Sequence, residues 1–280
     1  MRIAVAQVDC VLGDIDANVE RAAKAIVQAR ADGADLVVFP ELNLPGYSVG
    51  QVEDDLDMRT DDARLLRLAD DAGPMGLLLG FCEDGAGVHT YNSAAYFQAG
   101  KLLHVHRKLY LPTYDIFEER KHFSPGQHMR AFDTAHDRCA ILTCNDAWQP
   151  QLAFLAVQDG ARILLMPTSS AQSRFPRRYD SPTYWRDITT FYGRMFQVYV
   201  VFVNRVGTEG PLRFWGGSHV VDPWGGFVAE APQDDEAVLT VDIDLASVRR
   251  RRREVPLVRE ARLGLVQREV RRLVEEGGDL

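Results

Sequence analysis

The chain reads as an α/β protein built on two mixed β-sheets, and three observations lead there. Apolar runs of strand length alternate with helical periodicity from the first residues onward. Glycine-broken hairpins in the first half add antiparallel pairing to that pattern. An internal echo then gives both halves the same strand–helix–strand order: Asp32-Gly-Ala-Asp-Leu-Val-Val-Phe-Pro40 is answered by Asp159-Gly-Ala-Arg-Ile-Leu-Leu-Met-Pro167. Together they predict two sheets of similar build in one domain with internal pseudo-two-fold symmetry. The echo sets Glu41 opposite Thr168 and Val8 near Cys144.

Ile3 to Val8 is a buried-strand pattern. Asn18 to Ala31 reads as a helix with Val19, Ala22, Ala23, Ile26 and Val27 on one face. Leu36 to Phe39 is the next strand, and Pro45-Gly46 marks a turn. Leu56 to Ala72 is a second helical pattern. Strands are expected at Gly76–Cys82, Tyr91–Gln98 and Lys101–Arg107, with breaks at Gly85–Gly87 and Gly100. Cys139 to Cys144 is a strand that runs into a turn and a helix beginning near Trp148. Ile163 to Met166 is a strand, Thr183 to Val198 a helix, and Tyr199 to Asn204 a strand. Strands at Gly217–Val221, Gly226–Glu230 and Ala237–Ile243 complete the set. No Gly/Ser/Pro-rich linker divides the 280 residues, so one domain is expected, with 256–280 as a tail. In that tail Val258, Leu263, Val266, Val270 and Leu273 form an apolar stripe that fits either its own core or a second subunit.

A hydrophobic content of 46% predicts a packed core. The net charge of −8 argues against general affinity for nucleic acid or anionic membrane. No apolar stretch approaches the roughly 20 residues that span a bilayer, and the N-terminus lacks a signal-peptide pattern. Cys10, Cys82, Cys139 and Cys144 show neither CxxC spacing nor a dense framework, which favours reduced thiols in the cytoplasm. The first three are expected to be small buried apolar residues.

Three apolar runs end in reactive side chains. Leu36-Val-Val-Phe-Pro40 delivers Glu41, Leu102-Leu-His-Val-His106 delivers Lys108, and Cys139-Ala-Ile-Leu-Thr-Cys144 delivers a thiol at a strand-to-helix turn. Backbone N–H groups at such a turn favour negative charge. A neutral thiol attacks an amide poorly; it needs a base and donors for the oxyanion. Glu41 suits the base, Lys108 the oxyanion partner, and the N–H of Asn145 a second donor. Protonated Glu41 can then serve the leaving nitrogen. This chemistry requires no metal or organic cofactor. Taken singly, each residue is more often structural or solvated.

The set is similar to the nitrilase, or carbon–nitrogen hydrolase, superfamily. Phe39-Pro-Glu41-Leu-Asn-Leu-Pro-Gly-Tyr47 resembles its general-base motif, Arg107-Lys108-Leu-Tyr-Leu-Pro112 its lysine motif, and Leu142-Thr-Cys144-Asn-Asp146 its nucleophile motif. Tyr91-Asn92-Ser93-Ala94 and Val203-Asn204-Arg205 also match, and the likeness runs from Ile3 to about Arg262. It implies a four-layer αββα sandwich that pairs through helices into a homodimer or higher oligomer. It also implies a second glutamate, Glu119 rather than Glu118, that holds Lys108 and the substrate amide. Cys144-Asn145-Asp146 departs from the Cys-Trp-Glu of true nitrilases and points to the amidase and carbamoylase branches. Ala147-Trp148-Gln149 lacks the arginine with which some carbamoylases hold a substrate carboxylate. Trp148 and the Tyr114–Phe123 segment look more like the glutaminase domain of glutamine-dependent NAD synthetase.

The expected activity is therefore hydrolysis of a small non-peptide amide or carbamoyl C–N bond through a Cys144 thioester. A glutamine-type amidase supplying ammonia to a separate partner is the first alternative. A catalytically silent binding or scaffold member is the second, opposed by the intact Glu41, Lys108, Glu119 and Cys144. Loops near 47–55, 113–120, 146–150 and 171–183 shape the pocket, so Tyr47, Tyr114, Trp148 and Arg174 join Asn145 as candidate substrate contacts. His104 and His106 alternate on a strand, but with no third ligand a strand-surface pair is favoured over a metal site. Arg249 to Arg253 reads as a solvated helix face or a source of subunit salt bridges.

Overall fold

The computed structural model describes residues 1–114, 117–173 and 176–277. The first half runs β1 (Arg2–Gln7), α1 (Ile15–Ala31), β2 (Leu36–Val38), α2 (Ala63–Ala72), β3 (Gly76–Asp84), β4 (Thr90–Gln98), β5 (Lys101–Arg107) and β6 (Ala131–Asp133). The second runs β7 (Arg138–Ile141), α3 (Pro150–Gln158), β8 (Ile163–Thr168), α4 (Ser181–Phe196), β9 (Tyr199–Asn204), β10 (Val206–Glu209), β11 (Leu212–Trp215), β12 (His219–Val221), β13 (Phe227–Glu230) and β14 (Ala237–Asp242). Two helices follow, α5 (Leu245–Glu254) and α6 (Leu263–Glu275).

The two large sheets have the orders β14-β1-β2-β3-β4-β5 and β6-β7-β8-β9-β12-β13. Each holds three parallel strands, extended through antiparallel pairing by one strand on one side and by two on the other. The register repeats as well: Ile3 lies opposite Leu36, and Cys139 opposite Ile163. That pairing is what the sequence echo predicts, with Glu41 and Thr168 in equivalent places. Each half also lends a strand to the other sheet, since β6 edges the second sheet and β14 the first.

Period-2 alternation sorts the strand residues into layers. Ile3, Val5, Leu36, Val38 and Leu78 meet Ile141, Ile163, Leu165, Val201 and Val203 between the sheets. Ala4, Ala6, Val37 and Leu79 face the other way, against Val19, Ile26, Leu65 and Leu68 of α1 and α2. Ala140, Leu164, Met166 and Phe202 do the same against Leu152, Ala156, Trp185 and Tyr192 of α3 and α4. The result is a four-layer αββα sandwich. Truncating a residue such as Leu165, wholly buried between the sheets, costs about 2–5 kcal/mol.

Some elements differ from the sequence reading. Val27 is 63% exposed, and Ala25 and Ala29 take its place on the buried face of α1. The second helix begins at Ala63, where Asp62 caps it by accepting from the Arg64 N–H at 2.9 Å. Leu56 and Met58 are buried in the preceding loop, and Met58 bridges to Glu83. The β10–β11 hairpin and the short β6 carry no clear periodicity and are seen only in the structure, whereas the Arg249–Arg253 run does lie on a helix, α5. The tail helix α6 has no buried residue: Leu263, Val270 and Leu273 are each about half exposed (50%, 54% and 49%).

Candidate active site

The ends of β2, β5 and β7 deliver Glu41, Lys108 and Cys144 to one place. Glu41 follows a turn that β3 must pass closely. A Cβ at Gly80 would lie 2.6 Å from the Pro40 carbonyl oxygen and 2.4 Å from the Leu42 nitrogen, so only glycine fits there. The Gly80 N–H also donates to Asn43 Oδ1 at 2.8 Å, fixing the turn from behind. Leu42 and Cys144 both sit in the left-handed region, at φ 48° and 47°. For non-glycine residues this conformation costs roughly 1–3 kcal/mol, and strong surrounding hydrogen bonds must hold it.

Lys108 Nζ donates to Glu41 Oε1 and to Glu119 Oε1, each at 2.6 Å, and all three side chains are buried. Asn92 Nδ2 donates to the same Glu41 oxygen at 2.8 Å, and the Ser169 N–H to the other at 2.9 Å. The Tyr47 hydroxyl donates to Glu119 Oε1 at 2.6 Å. Glu118 is exposed and paired with Lys121.

Burial works against the Lys108 ammonium, but the charges of Glu119 and Glu41 outweigh it and hold its pKa well above the ordinary range. Glu119 is pushed up to about 7, chiefly by burial and then by Glu41, with Lys108 opposing. The Cys144 thiol is driven well above its usual value by burial and by Glu41; Lys108 only partly offsets this. The resting thiol is therefore neutral at pH 7. Tyr47, raised by burial and by the two carboxylates, keeps its proton.

Cys144 opens into a cavity of about 470 Å³ that Tyr114, Phe117, Trp148, Tyr179 and Trp185 line, with Asn145, Gln149, Ser170 and Ser173 among them. Tyr114 donates to Asn145 Oδ1 at 3.0 Å. Trp148 lines this cavity and also packs edge-on against Trp185 at 5.7 Å. Tyr47 does not line it; its link to the site runs through Glu119. Arg174 lies outside the described residues, and Arg177 and Arg178 are exposed.

His106 corrects the sequence reading. It is 2% exposed rather than on a strand surface, and Nε2 donates to Asp146 Oδ2 at 2.8 Å. His104 stacks on Phe132 at 4.4 Å. Among the described residues, no group of three or more His, Cys, Asp or Glu side chains gathers in a way that could hold a metal. Ser169 was missed as well. The echo pointed to it, since it follows Thr168, the counterpart of Glu41. The buried Arg205–Glu209 pair is the third omission. Glu209 accepts from the N–H groups of Tyr47 (3.1 Å) and Ser48 (2.5 Å), so it anchors the loop that carries Tyr47.

A buried neutral thiol beside a carboxylate and an ammonium, under an aromatic-walled cavity, is chemically suited to acyl transfer. Residues 2–253 match the carbon-nitrogen hydrolase family. The chain belongs to that family. This carbon–nitrogen hydrolase is 32% identical over 252 residues to the glutamine-dependent NAD(+) synthetase of Thermotoga maritima, a match covering 88% of the chain and 42% of that protein. It thus spans under half the length of that relative. It is 31% identical to the N-carbamoylputrescine amidase of Arabidopsis thaliana over 89% of the chain and 88% of that protein. A carbon-nitrogen hydrolase structure from Helicobacter pylori superimposes with a TM-score of 0.87 at 27% identity, covering 96% of this chain and 98% of that one. Among the described residues no helix is long and apolar enough to cross a membrane.

Proposed function

We propose that this hydrolase cleaves a small non-peptide amide or carbamoyl C–N bond, with Cys144 as nucleophile, Glu41 as base, Lys108 as oxyanion partner and Glu119 as the support of Lys108. The observation that carries the reading is the buried set in which Lys108 bridges two carboxylates beside a thiol that burial keeps protonated. A neutral resting thiol needs a base in place, and Glu41 is held for that work by Asn92 and Ser169.

Glu41 takes the thiol proton as sulfur attacks the carbonyl carbon. The new oxyanion is met by Lys108 and the Asn145 N–H. Glu41 returns the proton to nitrogen, the C–N bond breaks, and ammonia or an amine leaves. Water then adds to the thioester with Glu41 again as base. The C–S bond breaks, releasing the acid and restoring the thiol.

Likeness to N-carbamoylputrescine amidase along nearly its whole length favours amide and carbamoyl substrates. A second reading, a glutamine-type amidase feeding ammonia to a separate partner, is favoured by the likeness to part of an NAD(+) synthetase. We further infer one domain whose tail, 256–280, meets a second copy, because none of the apolar residues of α6 is buried among the described residues. Four unpaired cysteines accord with a reducing, cytoplasmic setting. The test is ammonia release from a panel of amides, carbamoyl amines, glutamine and nitriles. Release by the wild type and none by Cys144→Ala supports the reading; equal release by both overturns it.

A further inference from the structure

Away from the Cys144 cavity, a second cavity of about 460 Å³ is lined by Arg162, Arg249, Arg252, Arg253 and Arg259. This concentration of positive charge occurs in a protein whose net charge is −8. Three of the arginines lie on α5 at positions i, i+3 and i+4, which places them on one helix face. Arg162 approaches from the start of β8, and Arg259 from the segment after α5. Like charges at this spacing repel; the helix dipole favours Arg252 and Arg253 in the last turn of α5, but it does not account for Arg162, Arg249 and Arg259 gathering around the same space.

Counter-charge is scarce. Asp137, bonded to Arg162 Nε at 2.6 Å, is the only carboxylate among the described residues that pairs with any of the five. Asp137 is itself buried, at 8% exposure. Arg252 is held by one hydrogen bond, from Nη2 to the Ala161 carbonyl at 3.0 Å, and its buried Nε has no partner. Burial first, and then the neighbouring Arg162, lower the Arg252 pKa to about 10, with Asp137 opposing. Val248, Pro256 and Val258 give the same cavity an apolar wall.

We propose that this cavity binds a small multivalent anion of the phosphate class. Guanidinium forks suit phosphate oxygens, since each can give two parallel N–H bonds. Five of them around one space suit two or more negative charges. The apolar wall leaves room for an organic group joined to the phosphates.

The experiment is thermal unfolding and calorimetric titration of the full-length protein with inorganic phosphate, pyrophosphate and a nucleoside diphosphate, each against sodium chloride at equal ionic strength. At a hundredfold excess over Kd, pyrophosphate should raise Tm by about 5 °C. Phosphate should do less. A tighter fit of the nucleoside diphosphate than of pyrophosphate would assign the apolar wall to its organic part, and equal binding would limit the site to the phosphates. Arg249→Ala with Arg253→Ala, both exposed positions, should cut pyrophosphate affinity at least tenfold while leaving Tm without ligand nearly unchanged. Sodium chloride matching pyrophosphate in its effect, or full affinity in that double variant, would overturn the proposal.

Discussion

His106 and Asp146 form a buried pair, 2.8 Å from Nε2 to Oδ2, that joins the strand leading to Lys108 to the turn carrying Cys144. Asp146 also accepts the N–H groups of Leu109 (3.0 Å), Tyr110 (2.9 Å) and Thr143 (3.3 Å). One carboxylate thus fixes the chain just after Lys108 and just before Cys144. The separation of ammonium and thiol depends on it.

His106→Ala should therefore lower both stability and kcat. Removing one buried partner leaves the other short of a hydrogen bond, at a cost of about 1–3 kcal/mol. His106→Gln, which retains a donor, should recover much of kcat, whereas His106→Leu, of similar volume without a donor, should not; a purely volumetric role would leave those two variants alike. Thermal unfolding and steady-state rates distinguish these outcomes, and wild-type kcat in His106→Ala would remove the positioning role.

The neutral resting thiol makes a second prediction about reactivity. Iodoacetamide, itself a small amide, should alkylate Cys144 faster than any other cysteine at pH 7. Burial pushes Cys10 and Cys139 up to about 12 and Cys82 higher, so these should stay unlabelled in the folded protein. In Glu41→Gln the labelling of Cys144 should slow by about 10²-fold or more, the usual scale for losing a positioned base. Peptide mass spectrometry over a time course reads both effects. Unchanged labelling in that variant would mean a preformed thiolate and no need for Glu41.

Glu119 gives a pH dependence of definite sign. Its carboxyl ordinarily titrates near 4.5 and is raised to about 7 in the fold, by burial first. Between those values the native state holds a proton that the unfolded chain has lost, so stability falls as pH rises across that window and levels off above it. Glu119→Gln removes this slope. The Tm of wild type minus that of the variant should decline from pH 4.5 to 7 and then flatten; a difference that rises over that interval would reverse the assignment.

Much of this is legible in the sequence. Lys108, Glu41 and Cys144 each end an apolar strand pattern, and strand ends in such sheets share an edge. The repeated Asp-Gly-Ala stretch predicted the register because both copies begin a parallel strand at the same point. Long-range polar pairing was less visible. His106 looked like a surface residue because period-2 alternation tells faces apart but not which face a second sheet covers. Arg205 and Glu209, four residues apart, resemble any ion pair until the Tyr47 loop is seen to rest on them. The sequence pattern extends the second helix back to Leu56 because Leu56 and Met58 are buried from a loop, and periodicity does not separate that from a helix face.

The exposed stripe on α6 predicts self-association. Leu263, Val266, Val270 and Leu273 recur at helical spacing, yet none is buried. Sedimentation at micromolar concentration should show at least a dimer, and Val270→Glu with Leu273→Glu should weaken it without altering the monomer fold. Dimers unaffected by that double substitution would place the contact elsewhere.

Substrate choice follows from the walls around Cys144. Among the described residues the cavity presents aromatic rings, amides and hydroxyls, and no charged side chain. A neutral acyl group with an apolar or aromatic body loses little on leaving water there, whereas an unpaired carboxylate would be costly to bury. Neutral primary amides should therefore show higher kcat/KM than matched amides carrying a carboxylate at the same position. Nitriles should react more slowly still. Asn145-Asp146 stands where true nitrilases tend to have Trp-Glu, and both Asp146 oxygens are engaged in bonds to His106 and to backbone N–H groups. The check is a side-by-side rate comparison on matched amide, carboxylate-bearing amide and nitrile compounds, with mass spectrometry of quenched enzyme for an acyl adduct on Cys144. A carboxylate-bearing amide that outruns its neutral counterpart would require a cation at the cavity, with Arg174 the first position to replace. A nitrile that outruns its amide would overturn the substrate assignment and leave the nucleophile standing.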